Sequence, residues 1–130
     1  MKKLTQILLI DDDPIINFVH TKIINRRFPH IPLVVFENGL EGLNYIQSHP
    51  SNSYLVFLDL NMPKMNGWEF LKAISLDEHE LDFQVHIVTS SVDPEDREAA
   101  QKNENVQSFL KKPLKDEDLE KIILPTLKFH

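Results

Sequence analysis

The sequence predicts an α/β domain in which a parallel β-sheet is covered on both faces by helices. Five short apolar runs alternate along the chain with five segments of helical periodicity, which is typical of strands joined by crossover helices. Two of the runs, Ile7–Ile10 and Tyr54–Leu58, are continuously apolar, so we expect both faces of these strands to be buried. No Gly/Ser-rich linker or repeat divides the 130 residues, so we interpret residues 1–130 as one domain without an attached output domain.

The other three predicted strands are weaker and more mixed in composition. They comprise Leu33–Phe36, Val85–Val88 and Val106–Leu110. A strand that is not buried on both faces suits the periphery of a sheet, so we place these three nearer its edges.

The first helix is marked by a cap and an apolar stripe. Asp13 is a favourable N-cap and Pro14 suits the first turn, where its missing N–H costs nothing. Ile16, Val19 and Ile23 follow at helical spacing, and we predict that these side chains face the core.

Similar signals define the second and third helices. The second begins after Asn38 as its N-cap, and the third follows the Asn66-Gly67 pair. The predicted core residues of the two helices are Leu40, Leu43, Ile46, Phe70, Leu71 and Ile74.

The fourth helix, capped by Asp93 and followed by Pro94, has little to bury. Between residues 95 and 105 only Ala99 and Ala100 are apolar, so this helix gains little from burial. It is therefore either an ordinary solvated helix or a mobile switch element.

The fifth helix begins near Asp116, and Pro125 is expected to end or kink it. Its predicted core residues are Leu119, Ile122 and Ile123.

Composition excludes several classes of function. The net charge of −6 and the absence of a Lys/Arg stripe argue against direct binding of nucleic acid. The chain has no cysteine, so disulfides and thiolate metal sites are excluded. The apolar start of the chain ends at Asp11–Asp13 without a cleavage site, so we predict a first strand, neither a signal peptide nor a membrane span. A cytoplasmic location is compatible with these features.

Polar residues follow four of the predicted strands. Asp11–Asp13 follow the first strand, Asp59 the third, Thr89 the fourth and Lys112 the fifth. The carboxyl ends of parallel strands meet at one edge of a sheet, so we expect these side chains to converge. Each alone has an ordinary interpretation as a cap or surface residue, and for Asp13 a helix cap is favoured over a metal ligand.

Together these residues are suited to phosphoryl transfer. Neighbouring carboxylates repel each other, and a hard divalent cation such as Mg²⁺ relieves this repulsion while also binding phosphate oxygens. A lysine adds positive charge, and a carboxylate can act as the nucleophile to form an aspartyl-phosphate.

The order and spacing of these motifs resemble the response-regulator receiver domains of two-component signalling, including the single-domain chemotaxis regulator. The resemblance covers essentially the whole chain and is carried by Ile7–Pro14, Leu58–Pro63 with Met65–Gly67, Ile87–Ser90 and Phe109–Pro113. It implies a flavodoxin-like, doubly wound five-stranded sheet of order 2-1-3-4-5 with five helices.

The resemblance also implies roles for the site residues. Asp59 corresponds to the phospho-acceptor, Asp12 to the direct metal ligand and Asp11 to the water-bridged ligand. The backbone carbonyl of Asn61 completes the protein ligands of Mg²⁺ or Mn²⁺.

Three further residues resemble the signalling elements of the family. Thr89 corresponds to the switch hydroxyl, and Lys112 to the lysine that pairs first with the acceptor and then with the phosphate. Phe109 corresponds to the switch aromatic, where a tyrosine is frequent, so no hydroxyl is available there.

The implied function is that of a stand-alone response regulator. It would accept a phosphoryl group from a histidine kinase or phosphotransfer protein and switch the protein-binding face formed by helix 4, strand 5 and helix 5. Such a protein catalyses only its own phosphorylation and dephosphorylation. We expect a cytoplasmic monomer or transient homodimer that binds a downstream protein, and neither nucleic acid nor membrane.

Three other classes of protein fit these residues less well. A hydrolase of the haloacid-dehalogenase type requires a second acid two residues after its nucleophile, and here that position is Asn61. A flavin-binding protein requires a neutral phosphate loop after strand 1, whereas Asp11–Asp13 would repel a phosphate. A receiver retained only as a scaffold would not need the full set of acceptor, metal ligands and lysine.

Overall fold

The computed structural model describes residues 4–122, which form five strands and five helices in strict alternation. The elements are β1 Gln6–Ile10, α1 Pro14–Arg27, β2 Leu33–Phe36, α2 Gly39–Ser48, β3 Ser53–Leu58, α3 Gly67–Ser75, β4 Asp82–Thr89, α4 Pro94–Lys102, β5 Val106–Lys111 and α5 Asp116–Glu120. The strands form one parallel sheet of order β2-β1-β3-β4-β5, as predicted. Among residues 4–122 no helix is long and apolar enough to cross a membrane.

Two hydrophobic layers enclose the sheet. One contains side chains of α2, α3 and α4, and the other contains side chains of α1 and of the region around α5. Every residue of β3 is buried, which explains its continuous apolar composition. β2 and β5 form the edges as predicted, whereas β4 is an interior strand that is buried from Val85 to Thr89.

The predicted core face of α1 is confirmed for Ile23, which packs against the core, but the buried face is rotated away from Val19. Val19 is 39% exposed, and the buried residues of this helix are Asn17, His20 and Ile24. The apolar pattern does not reveal the buried face because this face contains two polar side chains, which form hydrogen bonds to the backbone of Asp11 and of the distant Leu114.

Leu40 was also wrongly assigned to the core, since it is 41% exposed. Instead α2 packs on β1 through Gly42, where a Cβ would lie 2.6 Å from Cδ1 of Ile10. The remaining predicted core residues of α2 and α3 are buried, namely Leu43, Ile46, Phe70, Leu71 and Ile74.

The predicted N-caps Asp13, Asn38 and Asp93 are confirmed, and Asn66 caps α3 in the same way. The side chains of Asp13, Asn38, Asn66 and Asp93 each accept a hydrogen bond from a backbone N–H in the first turn of the helix that follows. Only Ala100 of α4 is buried, in agreement with its polar sequence.

The predicted fifth helix lies partly outside the described residues. α5 begins at Asp116, and Leu119 and Ile122 are buried as predicted. The predictions for Ile123 and Pro125 lie outside the described residues.

We predict that Gly67→Ala destabilises the protein by about 1–3 kcal/mol, whereas Gly42→Ala has a much smaller effect. A Cβ at residue 67 would lie 2.5 Å from the backbone carbonyl oxygen of Asp59, which cannot move independently of the site. At residue 42 the new methyl meets the end of a flexible side chain, and alanine favours the helix. Urea unfolding of both variants tests this difference, and equal free energies of unfolding would contradict it.

We also predict that the free energy of unfolding decreases by up to about 3 kcal/mol between about pH 6.5 and pH 4 through His86. Burial lowers the pKa of this imidazole from 6.5 to about 4, and its Nδ1 lies 2.6 Å from Oγ of Ser108. In this interval the unfolded chain binds a proton that the folded protein excludes, so stability is lost as the pH falls. His86→Gln should reduce the slope of the profile measured by chemical denaturation, and an unchanged slope would exclude this origin.

Candidate functional site

The carboxyl edge of the sheet brings the predicted site residues together. In the parallel register Ile10 pairs with Leu58, so the residues that follow them, Asp11 and Asp59, leave adjacent strands at the same level. The N–H of Asp59 donates to the carbonyl of Ile10 at 2.9 Å, which fixes the two strand ends. The short strands of an open α/β sheet thus place both carboxylates at one point.

Three carboxylates form an acidic group that could hold a cation. Oxygen atoms of Asp11, Asp12 and Asp59 all lie within 4.8 Å of one another. Asp11 and Asp59 are buried and Asp12 is exposed, so one side of the group faces solvent. This set of hard oxygen donors fits a divalent cation such as Mg²⁺.

Lys112 bridges the two buried carboxylates. Its Nζ lies 2.6 Å from Oδ2 of Asp11 and 3.0 Å from Oδ2 of Asp59, and its side chain is only 12% exposed. Burial raises the pKa of Asp11, while the hydrogen bond from Lys112 opposes this rise. Burial acts to lower the pKa of Lys112, but its hydrogen bonds to both carboxylates outweigh burial and raise that pKa.

The two residues predicted to act as a switch lie on neighbouring strands. Thr89 ends β4 and is fully buried, and its Oγ1 accepts a hydrogen bond from the N–H of Ser91 at 3.2 Å. Phe109 is half-buried on β5, with the guanidinium carbon of Arg97 5.1 Å from the centre of its ring. This contact joins α4 to β5.

The other candidate residues lie around this group. Asn61 is exposed in the loop between β3 and α3. Asp13 accepts hydrogen bonds from the N–H groups of Ile15 and Ile16, so it acts as a helix cap, as favoured. Trp68 packs against the core, and its Nε1 donates to Oδ1 of Asp96 on α4.

Sequence reasoning missed two residues that support the site, Asn17 and His20. Nδ2 of Asn17 donates to the carbonyl of Asp11 at 2.8 Å, and Nε2 of His20 accepts from the N–H of Leu114 at 3.0 Å. Burial, followed by the charge of Lys112, lowers the pKa of His20 to about 4. The sequence signal was a pair of polar residues three positions apart among apolar neighbours in α1.

Comparison with known proteins agrees with this architecture. The sequence model of the response regulator receiver domain matches residues 7–124. The chain therefore belongs to the response regulator receiver domain family of two-component signalling, whose members take phosphoryl groups from histidine kinases and phosphotransfer proteins.

Individual relatives support the same membership. The chain is 31% identical to the probable methanogenesis regulatory protein FilR2 of Methanothrix harundinacea, over 90% of this chain and 77% of that protein. It is 26% identical to Protein PilH of Pseudomonas aeruginosa, over 92% of this chain and 95% of that protein. Other curated relatives are longer, and the chain spans 40% of the probable C4-dicarboxylate response regulator DctR of Priestia megaterium.

Solved structures show the same fold. A two component response regulator from Cytophaga hutchinsonii superposes with a TM-score of 0.77 at 29% identity, covering 92% of this chain and 93% of that chain.

We predict that Lys112→Met lowers the free energy of unfolding in metal-free buffer at pH 7 by about 2–4 kcal/mol. The substitution leaves the buried carboxylates of Asp11 and Asp59 without their shared cation. Lys111→Met is the matched control, because Lys111 is exposed and its removal should change stability by less than about 0.5 kcal/mol. Urea unfolding of the two variants measures the difference, and a stable Lys112→Met protein would show that the ammonium does not neutralise this group.

Proposed function

We propose that this protein is a phospho-acceptor response regulator whose acceptor is Asp59. The observation that carries the proposal is the ammonium of Lys112 held between the carboxylates of Asp11 and Asp59, beside the exposed carboxylate of Asp12. A phosphoryl group brings negative charge, so a fixed cation and a metal-binding face beside the nucleophile are what its transfer requires.

The proposed reaction is one displacement at phosphorus. A carboxylate oxygen of Asp59 forms an O–P bond while the P–N bond of a phosphohistidine breaks, and the leaving imidazole takes the electron pair and a proton from solvent. Lys112 then moves its hydrogen bond from the carboxylate to a phosphoryl oxygen. Water then attacks the aspartyl-phosphate, which restores the carboxylate and releases inorganic phosphate, so the protein catalyses only its own phosphorylation and dephosphorylation.

The proposed metal ligands are the carboxylates of Asp11, Asp12 and Asp59 and the backbone carbonyl of Asn61. The mutual proximity of the three carboxylates supports this set. Bound Mg²⁺ or Mn²⁺ would supply charge neutralisation for the acceptor and the incoming phosphoryl oxygens. Asp12, as the exposed member, leaves the site open to a donor protein.

The donor we propose is a sensor histidine kinase or a histidine phosphotransfer protein in the cytoplasm. We further propose that one receiver unit of this length suffices for function, with output through binding of a downstream protein. The alignment over 95% of Protein PilH supports this, since that protein is of similar extent.

The proposed output face comprises α4, β5 and α5. A phosphoryl group on Asp59 gives the hydroxyl of Thr89 a strong acceptor, and movement of Thr89 makes room for Phe109 to turn inward. Because the guanidinium of Arg97 lies over the ring of Phe109, this turn would break the contact between the two side chains. A partner that prefers the inward ring would shift the population towards it, and a tenfold preference requires only about 1.4 kcal/mol.

We predict that Asp59→Asn abolishes phosphoryl incorporation from a small acyl-phosphate donor, because the amide is not a nucleophile. The fold should persist, since asparagine is nearly isosteric. Asp13→Asn is the matched control, because Asp13 caps α1 and an asparagine cap preserves that role. Intact-mass measurement detects the added phosphoryl group in the wild type and in both variants, with excess Mg²⁺ and with excess chelator. Labelling of Asp59→Asn, or undiminished wild-type labelling in chelator, would overturn the assignment.

We predict that Thr89→Ala accepts the phosphoryl group but transmits less of its effect. Without the hydroxyl, the side chain of residue 89 can no longer donate a hydrogen bond to the phosphate. Amide hydrogen exchange over residues 89–113, with and without an acyl-phosphate mimic, measures this response. The wild type should change in this range more than the variant does. An equal change in both proteins would place the output surface elsewhere.

A further inference from the structure

The inner face of α1 links the two loops whose side chains form the Asp11–Lys112 ion pair. Asn17 lies one helical turn before His20, and both side chains are buried. Nδ2 of Asn17 donates at 2.8 Å to the backbone carbonyl of Asp11, and Nε2 of His20 accepts at 3.0 Å from the backbone N–H of Leu114, two residues after Lys112. One turn of helix is therefore bonded to both loops.

In the observed orientation of α1, apolar side chains are exposed and the side chains that form these two hydrogen bonds are buried. Ile15 is 74% exposed and Phe18 is 63% exposed, while Asn17 and His20 face the protein interior. A rotation that buried the apolar side chains would leave the two loop contacts unmade. Buried polar groups are unfavourable unless they form hydrogen bonds, so the orientation indicates that these bonds matter to the fold or to the site.

The side chain of Leu114 anchors the loop that carries Lys112 in the core, but few backbone hydrogen bonds hold this loop. The N–H of Lys112 donates to the carbonyl of Thr89, Pro113 has no N–H, and the N–H of Lys115 donates to Asp118 at the start of α5. The N–H of Leu114 therefore has its partner on a different helix, and His20 provides it. An Nε2 that accepts requires the neutral imidazole with its proton on Nδ1.

We propose that His20 is a positioning residue for Lys112. By holding the N–H of Leu114 it keeps the loop after β5 where the Lys112 ammonium reaches Asp11 and Asp59, and Asn17 holds the Asp11 side of the same pair. This inference rests on the proposed phospho-acceptor function for its consequence, but the positioning itself can be measured without a phosphoryl donor.

Two substitutions separate positioning from space filling. His20→Leu fills a similar volume with an apolar side chain and removes the acceptor. His20→Gln retains an acceptor, because a glutamine Oε1 can reach about as far as the imidazole Nε2. His20→Asn, whose amide is too short to reach Leu114, is a second loss-of-acceptor variant should His20→Leu not fold. Circular dichroism and thermal unfolding establish that each protein is folded at the assay temperature.

The direct readout is the rate at which acetic anhydride acylates Lys112, resolved by peptide mass spectrometry. The exposed Lys111 and Lys115 in the same segment are internal references. In the wild type, the ion pair should slow acylation of Lys112 relative to both references. We expect His20→Leu to raise the Lys112 rate about tenfold, which corresponds to the loss of about 1.4 kcal/mol, and His20→Gln to restore it to within about twofold. An unchanged rate in the folded loss-of-acceptor variants, or equal increases in His20→Leu and His20→Gln, would overturn the proposal.

Phosphoryl incorporation from an acyl-phosphate at saturating Mg²⁺ is the second readout. We expect a rate about tenfold lower in His20→Leu and a recovered rate in His20→Gln. If the wild type incorporates no phosphoryl group while the acylation pattern holds, the proposed function fails and the positioning role of His20 stands. If the wild type is labelled but all variants match it in both assays, the positioning role fails and the proposed function stands.

Discussion

The pairing of one buried ammonium with two buried carboxylates is the constraint around which the rest of the site is arranged. Asp11 and Asp59 leave adjacent parallel strands at the same level, and without a cation between them their charges would oppose folding. Lys112 supplies that cation from the end of β5, which is not a neighbour of β1 or β3 in the sheet. The sheet order is therefore tied to the chemistry, because it determines which strand ends meet and how far the lysine must reach.

The site also depends on backbone atoms held behind it. Gly67 allows α3 to approach the carbonyl of Asp59 so closely that no Cβ fits between them. On the other side, Asn17 and His20 on α1 hold the loops of Asp11 and Lys112. Two helices on opposite faces of the sheet thus fix the acceptor and its cation, while Asp12 remains exposed for a metal and a donor.

Most of the fold and the convergence of the acidic group and lysine could be predicted from the sequence, because strand alternation, helix caps and polar strand ends are local signals. The orientation of α1 could not, since its buried face is chosen by hydrogen bonds to residues as distant as Leu114. The exposure of Leu40 could not be predicted for a related reason. The face of α2 that packs on β1 includes Gly42, and a glycine does not mark a buried face in the sequence as an apolar side chain does.

The central claim is that the carboxylate beside Lys112 accepts a phosphoryl group, and covalent mapping of the product tests it most directly. The wild-type protein, treated with an acyl-phosphate and Mg²⁺, is reduced with borohydride, which converts an aspartyl-phosphate into a stable alcohol, and is then digested and sequenced by mass spectrometry. We predict that the reduced residue is Asp59 alone. Reduction at Asp11, Asp12 or Asp13, or no reduced residue in a protein that binds Mg²⁺, would contradict the account.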